Sequence, residues 1–229
     1  MPVVRSILGV SFDLAEGMGD GLGKDIKDVF TEFGIPYTIL KFSSSGEVTD
    51  ILGEKLDYET NSQVTKPFIR EFFLEASVAY DTELAAGDLV RFNVDGRLFL
   101  VMNLTPELFE NKVVVYSAVL YKCNEICTIQ RLPDNDYGVD FQPTAKWRDV
   151  FDGIPCLLTE KLYGTSLVTE QEWGDFGVKA DECHLPGNLE IKTLDRIRLS
   201  NDEYFKVNSV EKRKFDNVNV LNLSEDTRE

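Results

Sequence analysis

Between Gly87 and Leu104 apolar and polar residues alternate, break at Asp95-Gly96, and alternate again. On an extended chain this puts Val90, Phe92 and Val94 on one face and Leu89, Arg91 and Asn93 on the other. The pattern predicts a β-hairpin. Asp-Gly predicts a two-residue turn, in which both central residues take positive φ. The return strand, Arg97 to Leu104, is expected to stop at Pro106. Upstream, Val3 to Phe12 is an apolar opening, a strand or an arm. Glu16 to Lys24 is glycine-rich and reads as a loop. A helix is expected from about Asp20 to Phe33, with Leu22, Ile26, Val29 or Phe30, and Phe33 on its apolar face and Gly34 as its cap. Tyr37 to Phe42 reads as a strand and Ser43 to Gly46 as a turn. Glu54 to Lys66 is polar and extended. Phe68 to Phe73, Ala76 to Tyr80, Lys112 to Tyr121 and Ile126 to Arg131 complete a series of short strands, as in a small barrel or sandwich.

Leu132 to Thr144 is polar and turn-rich, and then the pattern restarts. Asp152-Gly153-Ile154-Pro155 echoes Phe33-Gly34-Ile35-Pro36. Leu194-Asp195 echoes Gly87-Asp88, Tyr204 to Val207 echoes Leu98 to Val101, and Val218 to Leu223 echoes Val113 to Ala118. Four echoes in one order predict a tandem duplication. The expected fold is mainly β: two tandem copies of a small antiparallel β-barrel or sandwich domain, with a short N-terminal helix. The expected boundaries are an arm and helix over 1–33, a first domain over 34–131, a linker over 132–152 and a second domain, shorter by about a dozen residues, over 153–229.

Composition narrows the partners. The chain has 229 residues, 43% hydrophobic and 28% charged, enough for sizeable cores. Its net charge of −16 repels phosphate backbones and anionic membranes, which argues against sequence-specific nucleic-acid binding. No run approaches the roughly 18 apolar residues of a membrane helix. The N-terminal stretch turns acidic without a small-residue cleavage site and does not read as a signal peptide. Reduced thiols are therefore the expectation for Cys123, Cys127, Cys156 and Cys183.

Candidate chemistry is sparse. Gly23-Lys24 is followed by Asp25, which would repel phosphate, and the spacing of a Walker loop fails at Met18. Cys123, Cys127, Cys156 and the Cys183-His184 pair lack the two tight pairs of structural zinc, so no metal or cofactor is expected. His184, in what reads as a polar loop, has no nucleophile elbow nearby, and nothing recommends a Cys156–His184 dyad. No catalytic residue is expected. Lys212-Arg213-Lys214 is the one basic cluster: a solvated turn, or a contact to an acidic partner or to passing DNA.

The phrase from Gly87 to Val101 with the β-branched strand that follows, the stretch Leu120 to Asn124 with Ile126 to Arg131 behind it, the helix-then-Gly-Ile-Pro opening and the strand-rich Phe68 to Tyr80 together resemble the core of tailed-phage neck proteins. These are the head-completion, or stopper, proteins that close the portal. The resemblance covers about residues 30 to 131 and, more loosely, 153 to 224. The duplication departs from single-domain members of that family. The resemblance implies a homo-oligomeric ring in the virion, between the portal or adaptor protein and the tail terminator or tail tube, with genomic DNA passing through without being read. The acidic charge would keep that DNA from sticking, and Glu54 to Lys66 would be an arm that orders on assembly. The competing expectations are a tail-completion or baseplate subunit, and an unrecognised cytoplasmic enzyme or metal-binding protein.

Overall fold

The structure, a computed structural model, describes residues 6–7, 10–11, 18–60, 73–132, 146–160 and 181–228. Two short strands, β1 (Ser6–Ile7) and β2 (Val10–Ser11), pair with each other. One helix, α1 (Met18–Phe33), follows. The remaining strands close two antiparallel barrels. The first holds β3 (Ile35–Phe42), β4 (Val48–Thr60), β5 (Phe73–Ala79), β6 (Leu89–Phe92), β7 (Leu98–Phe109) and β8 (Lys112–Lys122). The second holds β9 (Glu125–Arg131), β10 (Arg148–Glu160), β11 (Asp181–Pro186), β12 (Arg196–Leu199), β13 (Tyr204–Glu211) and β14 (Val218–Glu225). Around each barrel the order is first, second, third, sixth, fifth, fourth strand. The chain divides into two compact units, residues 1–40 with 50–121 and residues 41–49 with 122–229. The tandem β-barrel architecture and the short helix are therefore as the pattern predicts.

The duplication is visible in hydrogen bonds. Gly87 N–H donates to Val101 O at 2.8 Å, and Val101 N–H to Asp88 O at 2.9 Å. The Asp88 carboxylate accepts from Ala85 N–H at 2.9 Å and so ties its own turn. In the second barrel Leu194 N–H donates to Val207 O and Val207 N–H to Asp195 O, both at 2.9 Å, while Asp195 accepts from Lys192 N–H at 2.8 Å. The echo of Gly87-Asp88 in Leu194-Asp195 is thus one turn built twice. The turn requires positive φ at its third residue: +87° at Gly87 and +74° at Leu194. Glycine takes that conformation freely, whereas leucine is strained by about 1–2 kcal/mol. Leu194→Gly is expected to stabilise the second unit by about 0.5–1 kcal/mol, after the entropy glycine adds to the unfolded chain. Urea denaturation checks this, and a loss of stability would contradict it.

Where the second copy begins is a correction. Register makes β9 the counterpart of β3: Ile39 pairs with Val90 just as Ile129 pairs with Ile197. Thr38-Ile39 therefore matches Thr128-Ile129, and Ile126 to Arg131 belongs to the second barrel, not the first. The second copy starts at β9 and is the longer one. Gly153-Ile154-Pro155 lies within β10, the counterpart of β4. There Gly153, at φ +67°, sits in a register shift between Phe151 and Ile154, which is a β-bulge. The expected linker ends inside β10; its residues 133–145 lie outside the described residues. So do most of Phe68 to Phe73 and residues 61–66 of the expected arm, whose earlier part is strand β4.

Three local expectations also change. The opening hairpin has a four-residue loop, Asn93 to Gly96, closed by Phe92 N–H to Arg97 O at 2.9 Å, and only Gly96 has positive φ. Val94 accordingly points to solvent. β7 runs through Pro106, whose fixed φ suits an extended chain, to a tight turn in which Glu110 and Asn111 both have positive φ. The helix begins at Met18, so Gly19, Gly21 and Gly23 are helical. Gly23 faces the barrel, where a Cβ would come within 3.2 Å of the Tyr80 ring. Ile26 and Phe30 pack on Val114, Val115 and Ala79, leaving Leu22, Val29 and Phe33 exposed on a neighbouring stripe.

Candidate functional site

Each barrel has an end where its second strand finishes and its third begins, and the two copies differ there. In the first barrel that end is plugged. Phe92 lies 4.8 Å from Phe99 and 5.4 Å from Tyr58, centroid to centroid. The Arg97 guanidinium covers both phenylalanine rings at 5.6 Å. Arg97 is held there by Asp95, whose carboxyl a backbone hydrogen bond from Arg97 keeps below the usual carboxylate range.

Strand order and register carry these positions across, with the two-residue turn at Glu110-Asn111 setting β7 against β8 as β13 is set against β14. Phe99 becomes Phe205, but Tyr58 becomes Leu158 and Phe92 becomes Leu199. Leu74 becomes Asp181, Lys122 becomes Glu225, and Arg97 becomes Glu203. Two aromatic rings and the cationic cover are thereby lost. Among the described residues a cavity of about 670 Å³ remains there, lined by Leu158, Asp181, Glu203, Tyr204, Phe205, Glu225 and Asp226. Phe205 is half-buried where Phe99 is wholly buried.

Beside this mouth the C-terminal residues are clamped down. Asp226 accepts from Arg196 Nε at 2.8 Å and from Arg228 Nε at 2.7 Å. Arg196 lies over the Trp147 ring at 4.0 Å and the Tyr204 ring at 5.0 Å, both within cation–π range. Asp226 is therefore committed to two arginines, while Glu203 and Glu225 stand exposed at the rim.

Lys212, Arg213 and Lys214 lie at the opposite end of the same barrel, in the loop joining β13 to β14. All three are exposed. Lys214 pairs with Glu182 at 3.5 Å and lies over Phe215. Glu211, just before the cluster, accepts a hydrogen bond from Asn222 at 2.7 Å. Lys212 and Arg213 are exposed at the start of the same loop.

Cys127, Cys156 and Cys183 come together inside the second barrel, on β9, β10 and β11, all buried. The neighbouring Cys156 thiol, and then that of Cys183, pull the Cys127 thiol below its ordinary range. Cys156 and Cys183 are pushed up, first by the Cys127 thiol. Among the described residues no group of three or more His, Cys, Asp or Glu is placed to hold a metal ion. His184 is not in a loop: it is in β11 and buried. It pairs with Leu157, so it faces away from Cys156 and Cys183 across the sheet, and its ring lies 6.3 Å from Phe215. No dyad with Cys156 forms.

Burial holds the His184 pKa below its ordinary 6.5, Glu182 opposes this, and Lys214 reinforces it. The folded state thus binds this proton less readily than the unfolded chain. Its contribution to stability is present above pH 6.5 and is lost as pH falls from there through the lowered value. His184→Gln should flatten that part of the stability–pH curve, measured by urea denaturation. An unchanged slope would place the effect elsewhere.

The chain has no match among known family models, curated proteins or solved structures. No described helix is long and apolar enough to cross a membrane.

Proposed function

We propose that the chain is a structural subunit of a tailed-phage neck, a ring between portal and tail through which the genome passes. The observation that carries this reading is where the apolar surface lies. Both barrels are closed, so their strands leave no free edge for another chain to pair with. Yet Phe33 is 76% exposed and Val29 54% exposed on α1, and Leu108 is 64% exposed near the β7–β8 turn. A rigid first unit that carries apolar side chains on a helix and near a hairpin tip suits contacts between subunits. The net charge of −16 suits a channel wall that lets DNA slide. The hairpin from Gly87 to Leu104, whose sequence resembles the neck proteins, supplies β6 and β7 of the first barrel.

In this reading the partners are other copies of the chain, the portal or adaptor on one side and the tail tube or terminator on the other. Electron microscopy of the purified chain, and of particles containing it with the chain labelled, tests this. A ring with a DNA-wide channel and a label at the neck are expected. A label at the tail tip would instead favour a baseplate subunit and overturn the proposal.

A further inference from the structure

We propose that Cys127 and Cys156 are an oxidation site, two reduced thiols placed to close into a disulfide inside the second barrel. The inference goes beyond the neck reading and does not depend on it.

The placement of the thiols carries it. Cys127, Cys156 and Cys183 stand on three neighbouring strands, β9, β10 and β11. Cys127 pairs with Ile154, and Cys156 follows two residues on, so both side chains point to the inner face. Cys183 pairs with Leu158, two residues beyond Cys156, and points the same way. All three are at most 1% exposed. Their sulfurs are close enough for each to shift the proton affinity of the others.

A packed core does not require sulfur here. The register that sets Leu158 against Tyr58 also sets Cys127 against Tyr37, Cys156 against Leu56 and Cys183 against Ala76. Tyr37, Leu56 and Ala76 belong to the core of the first barrel. Three of the chain's four cysteines therefore meet at positions where the other copy has none.

Cys127 is the nucleophile. Its neighbours, Cys156 first, hold it below the ordinary thiol range and so favour the thiolate. The oxidant is a hydroperoxide. The Cys127 sulfur attacks one peroxide oxygen, the O–O bond breaks, and with hydrogen peroxide the leaving group is water. The Cys156 sulfur then attacks the sulfenic acid formed at Cys127. The S–S bond forms, the S–O bond breaks, and the hydroxide leaves as water with the Cys156 proton. Two thiols lose two electrons and one hydrogen peroxide becomes two waters. Cys156 is the partner because β10 is hydrogen-bonded to β9, whereas β11 is one strand further on. The bond crosses the β9–β10 ladder beside its register shift between Phe151 and Ile154, where the pairing is irregular. Oxidising surroundings keep such a bond and reducing ones open it. The second barrel thus has two states that differ by one covalent bond. Because the site is buried, oxidant reaches it through local opening of the strands.

Peroxide treatment of the full-length Cys123→Ser chain, which lacks the half-buried thiol, tests this. After alkylation in denaturant and digestion, mass spectrometry should find Cys127 linked to Cys156, with Cys183 alkylated. The urea midpoint of the oxidised chain should rise and should return to that of the reduced chain after dithiothreitol. Cys156→Leu, the residue of the first copy, should abolish both the linked pair and the rise, as should Cys127→Ala. Cys183→Ala, again the residue of the first copy, should keep both. Circular dichroism confirms that each variant folds. Thiols that stay reduced in the folded chain and link only in urea would overturn the proposal. So would any other pairing, or oxidation of Cys127 to a sulfinic acid with no bond formed. None of these outcomes bears on the neck reading, which electron microscopy decides.

Discussion

Replacing Asp226 by alanine is expected to lower the stability of the second unit by about 3–5 kcal/mol. The Asp226 carboxylate is 1% exposed and Arg196 is 9% exposed, so both charges are largely out of water. In that setting the pair itself adds little, but removing one partner leaves the other buried and uncompensated. Arg196 cannot turn out to solvent without leaving the Trp147 and Tyr204 rings between which it sits. Arg228 would lose its anchor too, and with it the hydrogen bond to Leu194 O at 3.1 Å. The sign of the pH dependence follows from the carboxyl. Burial alone would raise its pKa. The hydrogen bonds from Arg228 and Arg196 outweigh that and hold it well below the ordinary 3.8. Its contribution is therefore present above pH 3.8 and is lost as pH falls from there through the lowered value. Urea denaturation followed by Trp147 fluorescence should show a large gap between wild type and variant at neutral pH, narrowing in acid. A gap under about 1 kcal/mol at neutral pH would mean the cluster behaves as an ordinary surface ion pair.

Much of each barrel was legible because its signals are local. Alternation at Leu89 to Phe92 marks a strand whichever fold it joins. Asp88 and Asp195 tie their own turns through contacts three residues away, so the echo between them survives in sequence. Barrel membership is not local. Ile126 to Arg131 has the same pattern whether it closes the first barrel or opens the second, and only its pairing with β10 and β12 decides. The match of Gly153-Ile154-Pro155 to Gly34-Ile35-Pro36 set a bulge in β10 against the entry to β3, one strand out of place. The echo of Leu98 to Val101 in Tyr204 to Val207 already set Arg97 against Glu203; what the misalignment hid was Leu158 as the counterpart of Tyr58. The basic loop was readable as a charge cluster, but its position at the end of the barrel away from Leu158 and Phe205 required the β13–β14 hairpin. The tight turn at Glu110-Asn111 carries no glycine to announce it, and Pro106 argued for ending the strand before it.

The two mouths make the second large prediction, a difference between equivalent residues. Phe99→Ala should destabilise the first unit by about 3–5 kcal/mol. Its ring is wholly buried and makes the central contact with Phe92, with Arg97 above both. Truncation would leave a cavity that neighbouring β-strands, fixed by their ladders, cannot close. It would also remove one of the two rings that hold the guanidinium. Phe205→Ala should cost only about 1 kcal/mol, because the ring is half-buried beside an existing cavity and little packing is lost. Hydrogen exchange read by mass spectrometry resolves the strands of each unit, so both losses can be measured in one chain without separating the barrels. Equal costs would mean that Phe205 is packed as tightly as Phe99. The expected inequality would show that the duplicated barrel kept its lock at Asp88 and Asp195 while the packing around the equivalent phenylalanines diverged.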